Sequence, residues 1–354
     1  MKSNLKFFKN SKYLPVDEFI RKVLYDKKFG YYSTKNPIGM KGDFITAPHI
    51  SKIFSEIISI WIISCWEKFD KPKILNIVEL GPGDGSFAKT FIETSKKFPK
   101  FNSAKRVYLY ETSKILKEIQ KSKIKSNQVK WIKNFSGIKK NPTIFFGNEF
   151  FDAIPIKQFK RNQNTLYEKH YSLEKNYKIK EIFKKATTAD KSKINSFKTL
   201  QDLKFIEYPK FGLKELSKVT KILSKLGGCV LMIDYGYLKP NNQNTLQSIM
   251  NNKKNMLLNN LGNADITSHV NFALLKEFFL KNGFKIEKIV SQRDFLVEMG
   301  IMKRAEILAK RMKFKDQTNL YLRLRRLLSP KLMGNLFKVF LAHKHKNKFF
   351  FGFN

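Results

Sequence analysis

Hydrophobic residues in the first half of the chain alternate between two spacings. A nearly continuous apolar run at 74–80 predicts a buried strand, and helical spacing within 87–92 predicts a helix over 86–98. The same alternation then predicts a strand at 106–111, a helix at 113–122 and strands at 129–132 and 143–146. This order predicts an α/β fold: a Rossmann-like, doubly wound and mostly parallel sheet with helices on both faces.

Outside this core the spacing changes several times. Apolar residues at helical spacing predict a helical lead-in before residue 35, and a polar loop around 40–48 precedes a helix with a broad apolar face. Short alternating runs after residue 156 predict β-rich structure. We therefore divide the chain into an N-terminal helical cap with a lid loop (1–70), a core with a ligand site (71–155), an inserted β-rich substrate lobe (156–225), the remainder of the core (226–300) and a basic helical tail (301–354).

Charge adds less to this picture than its size suggests. The formal net charge is +40, but only nine of the 69 basic residues are Arg, and the Lys are spread over nearly every polar segment. Such a spread indicates a compositional bias rather than a nucleic-acid footprint, although nucleic acid stays an alternative partner. From Lys303 onward, 14 basic residues stand against Glu306 and Asp316. This tail could bind an acidic partner or be a solvated face.

The remaining composition argues against several classes of protein. No apolar run approaches the roughly 20 residues of a membrane span, and the N-terminus lacks the features of a secretory signal. The only cysteines, Cys65 and Cys229, are predicted to be buried free thiols, which suits a reducing cytoplasm and offers neither a zinc cluster nor a disulfide framework. We expect no metal site; the oligomeric state stays open.

A glycine-rich turn follows the first predicted strand. Gly81, Gly83 and Gly85 alternate with Pro82 and Asp84, so a ligand could approach the main chain closely. Ser86 stands where a dinucleotide fingerprint would have its third glycine.

Two acids near this turn indicate the ligand. Glu79 would repel a pyrophosphate but could hold an ammonium group, and Glu111 at the end of the next strand could accept hydrogen bonds from both ribose hydroxyls. A ligand with a ribose, a cationic amino-acid end and no phosphate is S-adenosylmethionine. The alternative is a structural turn in another α/β protein, with Glu111 only a charge at a strand end.

Polar residues after other strands predict the opposite wall of the cleft. Asn148, Glu149 and Asp152 follow the strand at 143–146, and ligands of such sheets bind beyond the carboxyl ends of strands. Two aromatics between these acids could orient a cationic acceptor.

Residues from more distant segments are candidates for positioning the substrate. Asp43, Phe44 and Thr46 belong to the predicted lid loop, Asp234 ends a later strand, and His269 follows Asp265 and Thr267. The loop could equally be a helix cap, Asp234 a turn former and His269 a structural histidine.

Six ordered blocks resemble the MidA-like family of class I S-adenosylmethionine-dependent methyltransferases, which includes a mitochondrial assembly factor of respiratory complex I. They are Gly42–Pro48, Val78–Gly85, Asn148–Pro155, Ile233–Gly236, Thr245–Gln247 and Ala264–Val270, and a stretch at 333–339 is similar as well. The sequence departs from the pattern at His49, Lys52 and Asn271. The resemblance implies S-adenosylmethionine as cofactor and methylation of a protein arginine, with a complex I subunit as the expected substrate. It also implies a location in the cytoplasm for a bacterial protein, or in the mitochondrial matrix for a eukaryotic one.

These readings assign a role to each candidate. Cofactor binding is expected from Glu79, Gly81, Pro82, Gly83, Gly85, Glu111 and Thr46; catalysis from Glu149, Asp152 and Asn148; substrate positioning from Asp43, Phe44, Asp234 and His269. Glu149, with Asp152 nearby, would hold a guanidinium as a charge-assisted pair. The rivals are a nucleic-acid methyltransferase and a non-catalytic module that binds the cofactor and assists assembly.

Overall fold

The computed structural model describes residues 4–9, 11–35, 46–345 and 350–353. Its α-helices are Leu5–Phe8 (α1), Val16–Tyr25 (α2), Tyr31–Thr34 (α3), Ala47–Ile50 (α4), Lys52–Lys68 (α5), Ser86–Ser95 (α6), Pro99–Ala104 (α7), Lys114–Ile124 (α8), Thr188–Asn195 (α9), Lys198–Gln201 (α10), Lys210–Leu226 (α11), Phe272–Lys281 (α12), Gln292–Glu298 (α13), Ile301–Ala309 (α14), Phe314–Leu328 (α15) and Met333–Leu336 (α16). Its strands are Tyr13–Pro15 (β1), Leu75–Leu80 (β2), Lys105–Tyr110 (β3), Val129–Ile132 (β4), Thr143–Asn148 (β5), Lys157–Asn162 (β6), Thr165–Leu173 (β7), Ile179–Lys185 (β8), Phe205–Tyr208 (β9), Gly228–Tyr237 (β10), Gln247–Met250 (β11), Lys253–Asn255 (β12), Asp265–Thr267 (β13), Val270–Asn271 (β14), Lys285–Ile286 (β15), Val290–Ser291 (β16) and Phe337–His343 (β17).

The main sheet has the order β15-β17-β10-β5-β2-β3-β4, with β14 paired to β10 and β16 to β17. Strands β10, β5, β2, β3 and β4 run parallel to one another, whereas β17 is antiparallel to β10 and to β15. The fold class predicted from the alternating pattern is confirmed. Parallel strands are buried on both faces, which explains why the pattern of β2 is apolar almost throughout.

Each face of the main sheet packs against its own layer of helices. One face contributes Ile77, Leu109 and Leu231 to a core shared with α5, α6 and α15. The other face contributes Val78, Phe145 and residues of β17 to a core shared with α11 and α12. Because successive side chains of a strand point to opposite faces, one apolar strand supplies both layers.

A separate antiparallel sheet has the order β1-β7-β6-β9, with β8 also paired to β7. Its strands β6 to β9 lie between β5 and β10 in the sequence. Strand β1 comes from the N-terminal segment, where Leu14 is paired with Tyr171. A helical pattern alone had been predicted there, since a strand of so few residues leaves little periodicity to detect. A further small sheet has the order β12-β11-β13.

Three local predictions need correction. The helix expected over 86–98 ends at Ser95, and a new helix begins at Pro99, because the residue before a proline is disfavoured in helical conformation. The helical lead-in predicted before residue 35 is divided: α2 ends at Tyr25, and Gly30 is the N-cap of the short helix α3. The tail predicted to be helical also contains β17, whose apolar residues are buried between β10 and β15.

Candidate functional site

The carboxyl ends of β2, β3, β5 and β10 lie side by side in the main sheet, and most of the predicted site residues lie there. Residues 79–85 together with Glu111 form what we call the cofactor half of the cleft. Residues 148–152 together with α4 form the acceptor half. Because neighbouring strands are parallel, residues far apart in sequence meet along this edge.

The glycine turn of the cofactor half depends on conformations that glycine adopts easily. Gly81, Gly83 and Gly85 have φ angles of 62°, 56° and 82°, all in the left-handed region. A Cβ on Gly81 would lie 2.8 Å from Cδ2 of Phe150, in the acceptor half. Gly81 is therefore where the two halves touch, and Pro82 lies between the glycines with its carbonyl accepting the N–H of Gly85 at 2.9 Å.

Glu79 lies at the end of β2 with 6% of its surface exposed. Its Oε2 has no hydrogen-bond partner within the described residues. Burial raises the pKa of Glu79 well above its ordinary value, and the nearby charges of Asp84 and Glu111 raise it further. A buried carboxyl group that lacks a partner is costly, so this oxygen fits a cationic or donor group of a ligand.

Glu111 is held in place by its surroundings. Its Oε1 accepts the backbone N–H of Ser113 at 2.7 Å, and its Oε2 accepts Nε2 of Gln120 at 3.0 Å. Burial raises the pKa of Glu111, although these hydrogen bonds oppose the shift. Carboxylate oxygens accept more than one hydrogen bond, so a fixed carboxylate at this strand end can still receive a pair of hydroxyls.

Gln120 is a site residue that the sequence reasoning missed. It is fully buried, donates to the carbonyl of Gly83 at 2.7 Å and accepts Nε1 of Trp131 at 2.9 Å. It thus ties the glycine turn to Glu111. The available signal was an amide at a helical position between the buried Leu116 and Ile124 of α8, where an apolar residue would be expected.

The acceptor half begins with a strained residue. Glu149 has φ of 50°, in the left-handed region that side chains with a Cβ rarely adopt. Its Oε1 accepts Nδ2 of Asn148 at 3.1 Å and the backbone N–H of Ala47, the first residue of α4, at 3.2 Å. Its backbone N–H donates to the carbonyl of Ile233 at 2.9 Å. These bonds hold the Glu149 carboxyl group between β5, β10 and α4.

Asp152 and Asp234 stabilise the same turn in different ways. Asp234 Oδ2 accepts the backbone N–H groups of Phe151 and Asp152 at 2.8 and 3.3 Å, so this side chain is used to hold the turn. Asp152 Oδ2 accepts the hydroxyl of Tyr235 at 2.5 Å. Asp152 Oδ1 is buried and has no partner in the part of the chain that the structure describes.

Asn148 presents a second acceptor of this kind. While its Nδ2 donates to Glu149, its Oδ1 is buried without a partner among the described residues. The acceptor half therefore offers unused oxygen acceptors beside a carboxyl group. Such an arrangement favours a ligand that brings several hydrogen-bond donors.

Crowding of acids gives the acceptor half unusual ionisation. Burial raises the pKa of Glu149 to about 8, with the charge of Asp152 adding to the shift. Burial also raises the pKa of Asp152 to about 6, against the opposing hydrogen bond from Tyr235. The pKa of Asp234 is raised well above its usual range, again chiefly by burial. Perturbed acids in a cleft are typical of functional sites.

Two tyrosines from the N-terminal segment, also missed by sequence reasoning, lie against this edge. Tyr25 donates to the carbonyl of Ala153 at 2.9 Å, and Tyr32 donates to Asp265 Oδ1 at 3.1 Å. Their rings are stacked, with centroids 5.4 Å apart. The carbonyl of Tyr32 accepts the Ser113 hydroxyl at 2.7 Å, so this pair links the acceptor turn to the strand end that carries Glu111.

Helix α4 connects the two halves from the other side. His49 Nε2 lies 2.7 Å from Asp84 Oδ2 in the glycine turn, and its Nδ1 lies 2.9 Å from the Thr46 hydroxyl. Burial alone would raise the pKa of Asp84, but hydrogen bonds from His49 and Lys123 outweigh it and hold the pKa below the usual value. The Thr46 side chain therefore contacts His49 of α4, next to the cofactor half.

The remaining candidates are placed as follows. Asp43 and Phe44 lie outside the described residues. His269 packs edge-on against Tyr235, with ring centroids 5.5 Å apart, and its backbone N–H donates to the Thr245 hydroxyl at 3.0 Å. Burial lowers the pKa of His269, so the ring is neutral at pH 7. The structure brings it beside the residue that holds Asp152, not into contact with Glu149.

Two of the sequence departures have partners of their own. Lys52 pairs with Glu93 at 2.7 Å, and Asn271 accepts the N–H of Leu274 as the N-cap of α12. Together with the bond between His49 and Asp84, these contacts give each of the three residues at least one partner. None of these contacts involves the unpartnered oxygens of the cleft, which belong to Glu79, Asn148 and Asp152.

The cofactor half fits S-adenosylmethionine. An unpartnered buried carboxyl oxygen at Glu79 suits the ammonium of the amino-acid end, left-handed glycines allow close approach to the backbone, and Glu111 suits a ribose. Within residues 4–9, 11–35, 46–345 and 350–353, no group of three or more His, Cys, Asp or Glu side chains could hold a metal ion. None of the helices described is both long and apolar enough to cross a bilayer.

The chain is similar to known proteins over most of its length. The chain is 26% identical over 352 residues to the protein arginine methyltransferase NDUFAF7, mitochondrial, of Danio rerio, covering 92% of this chain and 82% of that protein. It is 26% identical to the human protein of the same name, covering 94% and 80%. A crystal structure of a Burkholderia thailandensis protein bound to S-adenosyl-homocysteine matches the fold with a TM-score of 0.80 at 19% identity, covering 100% of this chain and 92% of that one.

The sequence profile of one family matches residues 57–290, about two thirds of the chain, and so includes the cofactor half and residues 148–152 of the acceptor half. That match agrees with the glycine turn and with the cofactor half described above. The chain belongs to the S-adenosyl-L-methionine-dependent methyltransferase family and is a methyltransferase that uses S-adenosylmethionine.

Proposed function

We propose that the methyl acceptor is an arginine side chain of a protein, with a subunit of respiratory complex I or a similar protein as the substrate. The observation that carries this proposal is the pair of buried, unpartnered oxygens, Asn148 Oδ1 and Asp152 Oδ1, beside the carboxyl group of Glu149. The relatives in Danio rerio and human are both protein arginine methyltransferases, which supports the same acceptor.

A guanidinium matches these acceptors better than other side chains do. It carries five N–H donors in a planar fork and stays charged at any physiological pH. Glu149 would take one edge of the fork, and the oxygens of Asp152 and Asn148 would take further donors. A lysine ammonium has only three donors around a point charge and would leave acceptors unused.

The cofactor half positions the other reactant. Bound S-adenosylmethionine supplies a methyl group on a positively charged sulfur, which is displaced at carbon when the acceptor nitrogen attacks. Glu79 would bind the ammonium end and Glu111 the ribose. Gln120 donates hydrogen bonds to both Glu111 and the carbonyl of Gly83, and so holds the carboxylate in place beside the glycine turn. Orientation of this kind supplies much of the rate in a reaction between two bound partners.

The acids of the acceptor half prepare the nitrogen for attack. Binding of a guanidinium favours the ionised forms of Glu149 and Asp152, whose pKa values of about 8 and 6 reflect an acidic cleft without its cation. A carboxylate paired with one edge of the fork holds the lone pair on the attacking nitrogen. The ionised Glu149 carboxylate beside the attacking nitrogen would also take up the proton that the nitrogen loses.

The net charge of +40 keeps a nucleic-acid acceptor as the second candidate. The cleft itself disfavours it, since Asp152, with a pKa of about 6, is ionised at neutral pH and would repel a phosphate backbone close to the methyl group. For the compartment, we propose the cytoplasm, or the mitochondrial matrix in a eukaryotic cell; the two buried free thiols suit either.

A transfer assay tests the proposal. Purified protein with methyl-labelled S-adenosylmethionine is given arginine-containing complex I subunits, the same subunits with Arg replaced by Lys, and single-stranded RNA, and products are identified by mass spectrometry. We expect label on arginine only, and a loss of turnover of about 100-fold or more in Glu149→Gln and in Asp152→Asn. Asp202→Asn, which changes an exposed carboxylate outside the cleft, should retain full activity.

Three outcomes would contradict the proposal. Label on RNA would establish the nucleic-acid alternative. Wild-type rates in Glu149→Gln would remove the guanidinium role. Tight binding of a complex I subunit with no transfer, unaffected by changes in the glycine turn, would indicate a non-catalytic assembly factor.

A further inference from the structure

Helix α15 carries an arginine cluster that the cleft does not explain. Arg323, Arg325 and Arg326 are exposed and account for three of the nine arginines in a chain with 60 lysines. We call these residues the arginine face. Because the chain has 60 lysines and nine arginines, lysine is expected at most exposed basic positions. Three exposed arginines within four residues therefore distinguish α15 from the rest of the basic surface.

Direct contacts with the described residues of the chain do not account for the arginine face. Within the part of the chain that the structure describes, none of its guanidinium groups makes an ion pair or a hydrogen bond. The nearby Arg304 of α14, by contrast, pairs with Glu56 at 2.7 Å. Arginine forks are well suited to carboxylates, so a free cluster of them is a surface that lacks its acidic complement.

The arginines lie on the solvent side of α15, where at about 100° of rotation per residue Arg323 and Arg325 stand roughly 160° apart and Arg326 lies between them. Leu320, Leu324 and Leu327 recur at helical spacing, are buried and pack into the core of one sheet face. Leu322 and Tyr321, 55% and 39% exposed, lie next to the arginines on the outer side. An exposed apolar and aromatic pair beside guanidinium groups is typical of a protein-binding surface.

The face also lies at the acceptor half of the cleft. Helix α15 packs against α4, whose first N–H donates to Glu149. The positive charge of Arg326 acts on Glu149, opposing the rise in its pKa that burial causes. The last turn of α15 therefore borders the place where the acceptor would enter.

The cleft and its rim thus have opposite charge: acids at Glu149 and Asp152 inside, guanidinium groups outside. A peptide can match both, with a cationic side chain in the cleft and carboxylates on the rim. A nucleic acid matches the rim alone, because its phosphates would meet the acids of the cleft. The exposed Tyr321 and Leu322 favour a peptide for the same reason.

We propose that the arginine face docks an acidic segment of the protein substrate that flanks the methyl-accepting arginine. This inference rests on the proposed function, which it narrows from protein arginine to arginine in an acidic context. Because the face is on a helix packed against the core, it is formed before the substrate binds and selects it by charge and by geometry.

A binding experiment with the full chain tests the docking without requiring catalysis. The probes are fluorescein-labelled 15-residue peptides with one central Arg, flanked either by four Glu on one side or by four Gln at the same places, each made in both orientations. We expect wild type to bind one Glu peptide about tenfold more tightly than its Gln counterpart at 0.1 M salt, and R323Q/R325Q/R326Q to lose this preference. Affinity for S-adenosylmethionine should be unchanged in that variant.

A matched control separates docking from general charge. K214Q/K221Q/K225Q removes three exposed lysines of α11 and the same net charge, and it should keep the preference for Glu. The proposal is overturned if both triple variants lose the preference equally, if R323Q/R325Q/R326Q keeps it, or if single-stranded RNA or phosphatidylglycerol vesicles displace the Glu peptide from the face more effectively than Glu peptides do.

The two proposals fail in different ways. If peptides are methylated and R323Q/R325Q/R326Q leaves KM unchanged, the docking surface is wrong and the arginine acceptor stands. If no peptide is methylated but the Glu preference disappears in that variant, the docking surface stands and the acceptor is wrong. A rise in KM of about tenfold, with a much smaller change in kcat from the loss of the Arg326 charge near Glu149, supports both.

Discussion

The two halves of the cleft are built on different principles. In the cofactor half, Glu111, Gln120 and the glycine turn satisfy one another, and Glu79 alone keeps an unpartnered oxygen. In the acceptor half, unpartnered oxygens, a strained Glu149 and crowded acids occur together. The cofactor half is a nearly complete binding site for a single ligand, the cofactor. The acceptor half contains backbone strain and poorly paired acids, whose energetic cost a bound substrate can reduce.

This difference suggests how the free energy is distributed. A strained backbone and buried, poorly paired acids each cost stability, and they persist only where the surrounding structure holds them. Here the surrounding structure is Asp234, Tyr235 and Ala47, which fix the acceptor turn from β10 and α4. A cationic substrate would neutralise the acids, so part of the cost of the cleft is recovered on binding.

Breaking the contact between the halves should have the largest effect. Gly81→Ala places a Cβ at a φ of 62°, which costs about 1–2 kcal/mol, and within 2.8 Å of Phe150. We expect calorimetry to show affinity for S-adenosylmethionine falling by about tenfold or more. Turnover should fall further, by about 100-fold, because Phe150 belongs to the acceptor turn.

Gly137→Ala is the matched control, since its nearest neighbouring atom would be 4.0 Å away. It should leave both quantities unchanged. If Gly81→Ala weakened the cofactor alone, with turnover at saturating cofactor equal to wild type, the two halves would be independent rather than in contact.

The second test separates function from stability inside the cofactor half. Glu79→Gln removes the proposed partner of the ammonium, so affinity for S-adenosylmethionine should fall by about 10- to 100-fold. The same change should raise the thermal midpoint of the cofactor-free protein, because a buried carboxyl group without a partner is replaced by a neutral amide.

The pH dependence of this stabilisation has a definite sign. The pKa of Glu79 is raised in the folded protein, so folding opposes its ionisation, and wild type loses stability relative to Glu79→Gln as pH rises above the unfolded value of about 4.5. The difference in midpoint should thus be small at pH 4 and larger at pH 7.5.

Glu207→Gln is the control: Thr245 and Gln158 hydrogen-bond that buried carboxyl group, so its replacement should lower the midpoint and leave cofactor binding intact. A lower midpoint in Glu79→Gln would mean that Glu79 has a structural partner.

The cofactor half could be predicted from the sequence more completely than the acceptor half. The strand, the glycine turn and Glu111 lie within about 40 residues, and their conformations depend on local rules for glycine and for strand ends. Gln120 was detectable as an amide in an apolar helical stripe. The fold class was equally readable, because βα alternation extends over many residues and its topology is restricted by handedness.

The acceptor half could be predicted only in part. Asn148, Glu149 and Asp152 were found because they follow a strand, but Tyr32 reaches Asp265 across 233 positions of sequence. No local pattern encodes such a contact, since it depends on how α2 and α3 pack against the sheet edge. The strand β17 was missed for a related reason: its partner β10 lies about 100 residues earlier, and an apolar run does not by itself distinguish a strand from a helix.

The smallest expected effect comes from the residue that tunes Asp152. Tyr235 donates to Asp152 Oδ2 and thereby opposes the rise in the pKa of Asp152, which burial brings to about 6. In Tyr235→Phe that opposition is lost, so the pKa of Asp152 should rise, and acceptor binding that needs the ionised form should move to higher pH. We expect kcat/KM for an arginine peptide to fall about three- to tenfold at pH 6.5 and to recover towards the wild-type value at pH 9. Tyr237→Phe, two residues along β10, is the control and should keep the wild-type profile. A Tyr235→Phe profile that is lowered equally at every pH would show that the tyrosine shapes the turn without tuning its acid, and the acceptor half would then be a scaffold of the same kind as the cofactor half.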